Sequence, residues 1–154
     1  MSRDSRLSGI LHVLLHMAES GGPVTSKDLA RAMGTHPVVV RRTLAGLRER
    51  GLVRADKGHG GGWVIGRGLS DITLADVFEA LGGPSLFAIG HRDADPACLV
   101  EQAVNAALEG VLQEARGLLL ARFGQVTLQA LSTDFHARLT ASSRAFDPET
   151  AHAS

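Results

Sequence analysis

Residues 35–65 of the chain read THPVVVRRTLAGLRERGLVRADKGHGGGWVI. The first half of this stretch predicts a helix, because Val40, Leu44 and Leu47 recur at intervals of four and three residues. The second half predicts a β-hairpin, with strand candidates at 52–55 and 63–65 on either side of a glycine-rich segment. So many glycines indicate a tip that needs positive φ angles or a close backbone approach. The stretch therefore predicts a helix followed by a hairpin, which we call the wing.

Two further helices are predicted before this stretch. Apolar residues at helical spacing run from Leu7 to Ala18 and stop before a Gly-Gly-Pro sequence. Thr25 or Ser26 can cap a second helix, which Gly34 ends. The order helix, helix, turn, helix and hairpin is that of a winged helix-turn-helix, in which the helix after the turn enters the major groove of DNA.

A long helix is predicted over residues 96–123, with Asp95 as its cap. At about 1.5 Å per residue it would be roughly 40 Å long, too long to bury its apolar face within so small a chain. We therefore expect it to pair with the same helix of a second copy. The candidate dimerisation residues are Val104, Leu108, Val111, Leu112, Ala115 and Leu119.

The expected fold is mainly α with a small β-hairpin: a winged helix-turn-helix plus a long dimerisation helix. A short helix at 74–81, capped by Thr73, follows the wing. The predicted division is a DNA-binding domain at 1–84, a sensing loop at 85–97, the dimerisation helix with a short C-terminal helix at 98–140, and a disordered tail at 141–154.

The charge of the chain is split between its two halves. Lys plus Arg and Asp plus Glu both number 16, so the net charge is zero, which taken whole argues against a nucleic-acid binder. Residues 1–68, however, hold 11 basic and 5 acidic residues, and residues 69–154 hold 5 and 11. The charge is counted by segment because salt screens the electrostatic field of a charge over roughly 8–10 Å. The first half is thus a candidate polyanion binder, unless the asymmetry is chance.

Arginines dominate the predicted recognition helix. Arg41, Arg42 and Arg48 can point away from its buried stripe and donate paired hydrogen bonds to guanine or bind phosphate. Lys57 and His59 add donors on the wing. The competing interpretation is a solvated helix face. The remaining candidate DNA contacts are Ser26, Lys27, Thr35, His36 and Gly60.

These motifs together resemble the Rrf2 family of bacterial transcription regulators, over residues 5–135 or so. The resemblance implies a homodimer that crosses its long helices and sets two recognition helices on a palindromic operator. It also implies that Val38, Val39, Arg41 and Arg42 read the groove, with Lys57 and His59 on the wing. The matching stretches are SKDLA at 26–30, HPVVVRR at 36–42, LRERGLV at 47–53, GHGGGW at 58–63 and ITLADV at 72–77.

The cysteine content departs from the iron–sulfur members of that family, which carry three cysteines around the start of the long helix. Here only Cys98 is present, so the chain resembles the cysteine-poor branch and we expect no cofactor. A cluster held by His and carboxylate ligands across a dimer stays open. Cys98, in the first turn of the predicted helix, is either a redox- or ligand-sensing thiol, with His91 nearby, or a buried structural cysteine.

No metal site is predicted, although His12 and His16 stand four residues apart. The usual catalytic motifs are missing, so we expect no enzyme. The sequence has no membrane span and a polar N-terminus, which favours a cytoplasmic protein. The predicted function is a homodimeric, sequence-specific transcriptional repressor whose partners are double-stranded DNA, a second copy and a small-molecule or oxidant signal. The alternative is a dimeric ligand- or metal-sensing interaction module.

Overall fold

The computed structural model describes residues 4–145. It confirms the predicted fold class, with six helices and one antiparallel hairpin in this part of the chain. None of these helices is long and apolar enough to cross a bilayer. The elements in chain order are α1 (Arg6–Glu19), α2 (Ser26–Met33), α3 (Pro37–Glu49), β1 (Val53–Asp56), β2 (Gly62–Ile65), a 3-10 helix (Leu69–Asp71), α4 (Leu74–Ala80), α5 (Leu99–Phe123) and α6 (Leu128–Ala145).

The first three helices and the wing surround one core, and we call residues 4–84 the head. The predicted stripe of α3 is buried in this core together with the apolar side of α1, because both helices repeat apolar residues at helical spacing. Burial at roughly 25 cal/mol per Å² of apolar surface is the main stabilising term. The core includes Ile10, Val13, Leu14, Leu29, Val40, Leu44, Leu47, Leu52, Ile72 and Val77.

The wing pairs β1 with β2 in the register Val53↔Ile65 to Asp56↔Gly62. An isolated bridge to β2 was not predicted: Val24 exchanges two backbone hydrogen bonds with Trp63, of 3.0 and 2.8 Å. This pairing fixes the wing to the segment before α2. A Cβ at Gly62 would lie 2.6 Å from the Val24 carbonyl oxygen, so only glycine permits that approach.

The chain contacts the head again directly after the long helix. Thr73 pairs with Thr127 in an isolated bridge, and Leu128 lies in the core, where α6 contacts α1 and the 3-10 helix. The C-terminal helix predicted as short is therefore an 18-residue helix, anchored by its first turn. It continues to Ala145 where a disordered tail was predicted from residue 141, and residues 146–154 of that tail lie outside the described residues.

The long helix begins three residues later than predicted. α5 starts at Leu99 with Cys98 as its N-cap residue, not at Pro96. Pro96 is buried, and its carbonyl accepts a 2.9 Å hydrogen bond from the Gln102 side chain. The chain before α5 is thus held by contacts with the helix instead of forming its first turn. At 25 residues, α5 is about 37 Å long.

Candidate DNA-binding surface

The helix-turn-helix is formed by α2 and α3. Thr25 caps α2 by accepting a 3.2 Å hydrogen bond from the Asp28 backbone N–H. Gly34 ends that helix with φ of 62°, a left-handed conformation that glycine adopts at no steric cost. Pro37 then occupies the first turn of α3, where its missing N–H is not needed. Thr35 and His36, both predicted contacts, lie in this turn, Thr35 half-buried and His36 exposed.

The outer face of α3 carries the residues predicted to read DNA. Val38 is 54% exposed and Val39 47% exposed, while Arg41, Arg42 and Arg48 are also exposed. The buried residues of α3 are on its other side, as the spacing predicted. Two exposed valines followed by two exposed arginines therefore occupy the first two turns of the helix that a helix-turn-helix places in the major groove.

Trp63 connects the wing to both helices. Its indole N–H donates a 2.9 Å hydrogen bond to the hydroxyl of Ser26, the first residue of α2. The guanidinium carbon of Arg48, on the last turn of α3, lies 6.0 Å from the centre of the indole ring, within cation–π range. Two of the predicted DNA contacts, Ser26 and Arg48, thus also hold the wing in place. Sequence reasoning missed this, since the three residues are far apart in the chain.

The tip of the wing presents Lys57, His59 and Gly60, all exposed. Gly60 has a φ of 74°, so the positive φ predicted for this turn is present. Gly61 closes the turn with a 3.0 Å hydrogen bond to the carbonyl of Gly58. The tip is therefore held by its backbone, which leaves the two side chains at its end free to extend outward.

Some basic side chains of this surface have a carboxylate neighbour, and others do not. Arg31 and Arg54 have carboxylate neighbours, Asp28 at 3.5 Å and Asp56 at 3.4 Å. Among the described residues, no ion pair within 4.0 Å involves the predicted contacts on α2, α3 and the wing tip. These contacts are Lys27, Arg41, Arg42, Arg48 and Lys57. Their charges are not neutralised within the head and are available to a polyanion.

The loop of residues 85–98, which follows the head, folds against α5. Arg92 donates two hydrogen bonds to Glu101, of 2.9 and 3.1 Å, and this pairing raises the pKa of Arg92. The Asn105 side chain donates to the carbonyl of Asp93 at 2.8 Å. Gln102 and Glu109 add contacts to Pro96 and His91. Together with Glu101 and Asn105, these residues of α5 hold the loop in place.

Cys98 is exposed at the start of α5 and was predicted in its first turn. It lines a mostly apolar groove of about 460 Å³ together with Val100 and Val104. His91, the second predicted sensing residue, does not line this groove; its ring nitrogen lies 3.8 Å from a carboxylate oxygen of Glu109. The structure therefore places the two predicted sensing residues against different neighbours.

The long helix buries none of its residues within the chain. Of the six predicted dimerisation residues, Val104 and Val111 are exposed, and the other four are half-buried. Val111 is 66% exposed, and Leu118, which was not predicted, is 69% exposed. Val104, Val111 and Leu118 follow one another at seven-residue spacing, so with Val100 they form one exposed apolar stripe.

Comparison with known proteins agrees with this arrangement. The family model Rrf2, described as an iron-dependent transcriptional regulator, matches residues 3–134. The chain belongs to the Rrf2 family. The members of that family are DNA-binding transcriptional regulators and not enzymes, as the sequence predicted.

Individual Rrf2 relatives and similar structures support the fold. The HTH-type transcriptional regulator Rv1287 of Mycobacterium tuberculosis is 36% identical over 110 residues, 66% of this chain and 68% of that protein. The structure of T. potens IscR superposes with a TM-score of 0.62 at 20% identity, over 87% of each chain. A transcriptional regulator from Lactobacillus plantarum has a TM-score of 0.70 at 22% identity, over 93% of this chain and 99% of that one. The two structures share the fold.

The Rrf2 description names iron, and this chain offers few donors that could hold an iron–sulfur cluster. Iron–sulfur clusters are held mainly by several thiolates, and Cys98 is the single cysteine of the chain. The carboxylate of Glu101, near Cys98, already accepts a 2.9 Å hydrogen bond from Arg92. Within residues 4–145 no three His, Cys, Asp or Glu side chains converge as metal ligands, and the ring centres of His12 and His16 lie 4.6 Å apart with their planes tilted by 51°. The donor set of one chain does not fit a cluster.

Proposed function

We propose that this Rrf2 regulator binds DNA sequence-specifically as a homodimer that places two heads on a palindromic operator. The observation that carries this proposal is the outer face of α3, where Arg41 and Arg42 are exposed and outside any ion pair of the described residues. Phosphate contacts supply affinity, and paired hydrogen bonds from arginine to guanine supply specificity. The wing, fixed at Trp63, brings Lys57 and His59 to a second contact.

The dimer is supported by the exposed stripe of Val100, Val104, Val111 and Leu118 on α5. A contiguous apolar surface of this kind marks an interaction site in a soluble protein. Its seven-residue spacing suits the same helix of a second copy, because equivalent apolar rows then face each other about a two-fold axis. Each copy would contribute one head, so the operator would be an inverted repeat. By occupying that operator the dimer acts as a repressor.

We propose that the signal is an oxidant, which acts on the Cys98 thiol and needs no bound cluster or metal. Cys98 shares its groove with Val100 and Val104, which belong to the dimer stripe. Peroxide would convert the thiol to a sulfenic acid: the sulfur attacks one peroxide oxygen, the O–O bond breaks and water leaves. A larger, polar sulfur group beside the stripe would shift the two α5 helices and change the spacing of the heads.

The experiment that tests DNA recognition is selection from a pool of random duplexes by the full chain. The proposal expects an enriched inverted repeat, with half-site centres about 10 base pairs, or a multiple of this, apart. Absence of any enriched sequence would contradict it. In that case the alternative, a dimeric interaction module that senses a ligand or metal without binding DNA, would be favoured if the chain still dimerises.

A further inference from the structure

Two valines stand exposed on the helix that the proposed function places in the major groove. Val38 is 54% exposed and Val39 47% exposed, and among the described residues of the head they are the only large hydrophobic side chains so exposed. Other exposed apolar side chains of the described residues belong to the loop, to α5 or to α6. Valine is also a poor helix former, because its branched side chain restricts χ1. In the first turn of α3, Val38 and Val39 therefore serve neither the core nor the stability of the helix.

The position of Val38 is set by the helical repeat. Val40, Leu44 and Leu47 are buried, so at about 100° per residue the opposite face is centred on Val38 and Arg42. These two residues, four apart, lie one above the other on that face. Their separation along the axis is roughly 6 Å, close to two base-pair steps of about 3.4 Å.

Polar groups nearby are already paired. The hydroxyl of Thr43 donates a 3.0 Å hydrogen bond to the carbonyl of Val39, one turn earlier. The backbone N–H groups of Val39 and Val40 both bond to the carbonyl of His36, at 3.0 and 3.3 Å. Beside the exposed His36 and the arginines, the outer side of the first turn of α3 thus offers the carbon atoms of Val38 and Val39.

The base edges of the major groove carry one apolar group among the standard bases, the 5-methyl group of thymine. We propose that Val38 and Val39 read thymine methyl groups in each half-site, with Arg42 on a guanine about two base pairs away. The proposal rests on the proposed function and names the chemistry that its recognition helix selects. A protein partner would also cover two valines, but the surrounding Lys27, Arg41 and Arg42, outside any ion pair of the described residues, favour a polyanion.

The test uses the full chain and the duplex that selection enriches. Each thymine is replaced in turn by deoxyuridine, which removes the methyl group and leaves the Watson–Crick edge unchanged. At least one replacement per half-site should weaken wild-type binding about fourfold, the factor that corresponds to ~0.8 kcal/mol per buried methyl. In Val38→Ala/Val39→Ala the same replacement should weaken binding clearly less than fourfold, because the γ-methyl groups that pack on the thymine methyl are gone. Alanine favours the helix, so the variant keeps its fold.

The matched control is Ile89→Ala, which shortens an equally exposed aliphatic side chain in the loop. It should keep the full sensitivity to deoxyuridine. If the wild type binds the selected duplex and no replacement weakens it, the methyl contact is overturned while the proposed function stands. The methyl contact is also overturned if the double variant is as sensitive to deoxyuridine as the wild type, since the methyl would then act through DNA shape. If selection enriches no sequence at all, the proposed function fails and the inference falls with it.

Discussion

Trp63 and Ser26 are 37 residues apart in the chain and are joined by a 2.9 Å hydrogen bond from the indole N–H to the hydroxyl. The same tryptophan pairs its backbone with Val24 and lies under the guanidinium of Arg48. The wing therefore has fixed contacts with the start of α2 and with the end of α3. In the proposed function α3 and the wing contact DNA together, and the backbone and side chain of Trp63 fix the position of the wing relative to both helices.

Removing the Ser26 hydroxyl should show how much the hydrogen bond from Trp63 contributes to stability. Ser26→Ala leaves the buried indole N–H unsatisfied, which we expect to lower the free energy of unfolding by about 1–3 kcal/mol. Urea denaturation measures the loss, and Ser70→Ala, at an exposed serine, is the control. In Trp63→Phe the donor is already absent, so adding Ser26→Ala should cost much less there. Equal losses in the two backgrounds would show that the hydrogen bond carries no stability.

Loss of Arg42 and loss of Lys57 should change DNA binding in different ways. Arg42→Ala should reduce the preference for the selected duplex over random DNA by about 1–3 kcal/mol per base contact. Lys57→Ala on the wing should weaken binding to both duplexes equally, because phosphate carries no sequence information. Competition titrations measure both ratios, with Arg122→Ala at the end of α5 as a control expected to match the wild type. Loss of preference in Lys57→Ala and not in Arg42→Ala would reverse the assigned roles.

A charge on the exposed stripe should separate the copies. Val111→Glu and Leu118→Glu place a carboxylate in the proposed interface, yet both positions are exposed within one chain, so the fold should persist. Sedimentation equilibrium should give the mass of two chains for the wild type and of one chain for each variant. Gln113→Glu, on the other side of α5, should remain a dimer. A dimeric Leu118→Glu with wild-type stability would place the interface elsewhere.

Oxidation should act through Cys98 alone. Peroxide or diamide should change the affinity of the wild type for its selected duplex several-fold, while Cys98→Ser should bind equally before and after treatment. Serine keeps the size of the side chain and removes the reactive sulfur. Fluorescence anisotropy on the four samples measures the effect. Unchanged affinity in all four would show that Cys98 does not sense oxidants.

Local signals in the sequence predicted most of the head. The cap at Thr25, Pro37 at the start of α3, the Thr73 capping box and the glycine-rich tip of the wing are decided by neighbours within four residues, and the structure contains all of them. Such features depend on backbone chemistry that a short window contains.

Long-range contacts decided what the sequence did not predict. Asp95 and Pro96 form a good local cap signal, but Pro96 is buried and bonded by Gln102, which moves the start of α5 to Leu99. Leu118 was missed because α5 has apolar residues on several sides. The contacts of Phe78 in the head with Phe123, at 5.9 Å between ring centres, and with the guanidinium of Arg116, at 5.8 Å, show which side of α5 faces the head.

The most direct test of DNA binding by this surface is the salt dependence of binding to a random-sequence duplex. For six or more phosphate contacts in a dimer, the logarithm of the binding constant should fall against the logarithm of salt concentration with a slope of about −5 or steeper. In Lys27→Ala/Arg41→Ala, which removes four cations per dimer, the slope should flatten by about 3 to 4. No binding at low salt, or an unchanged slope in that variant, would contradict the assignment of α2 and α3 as the DNA-binding surface.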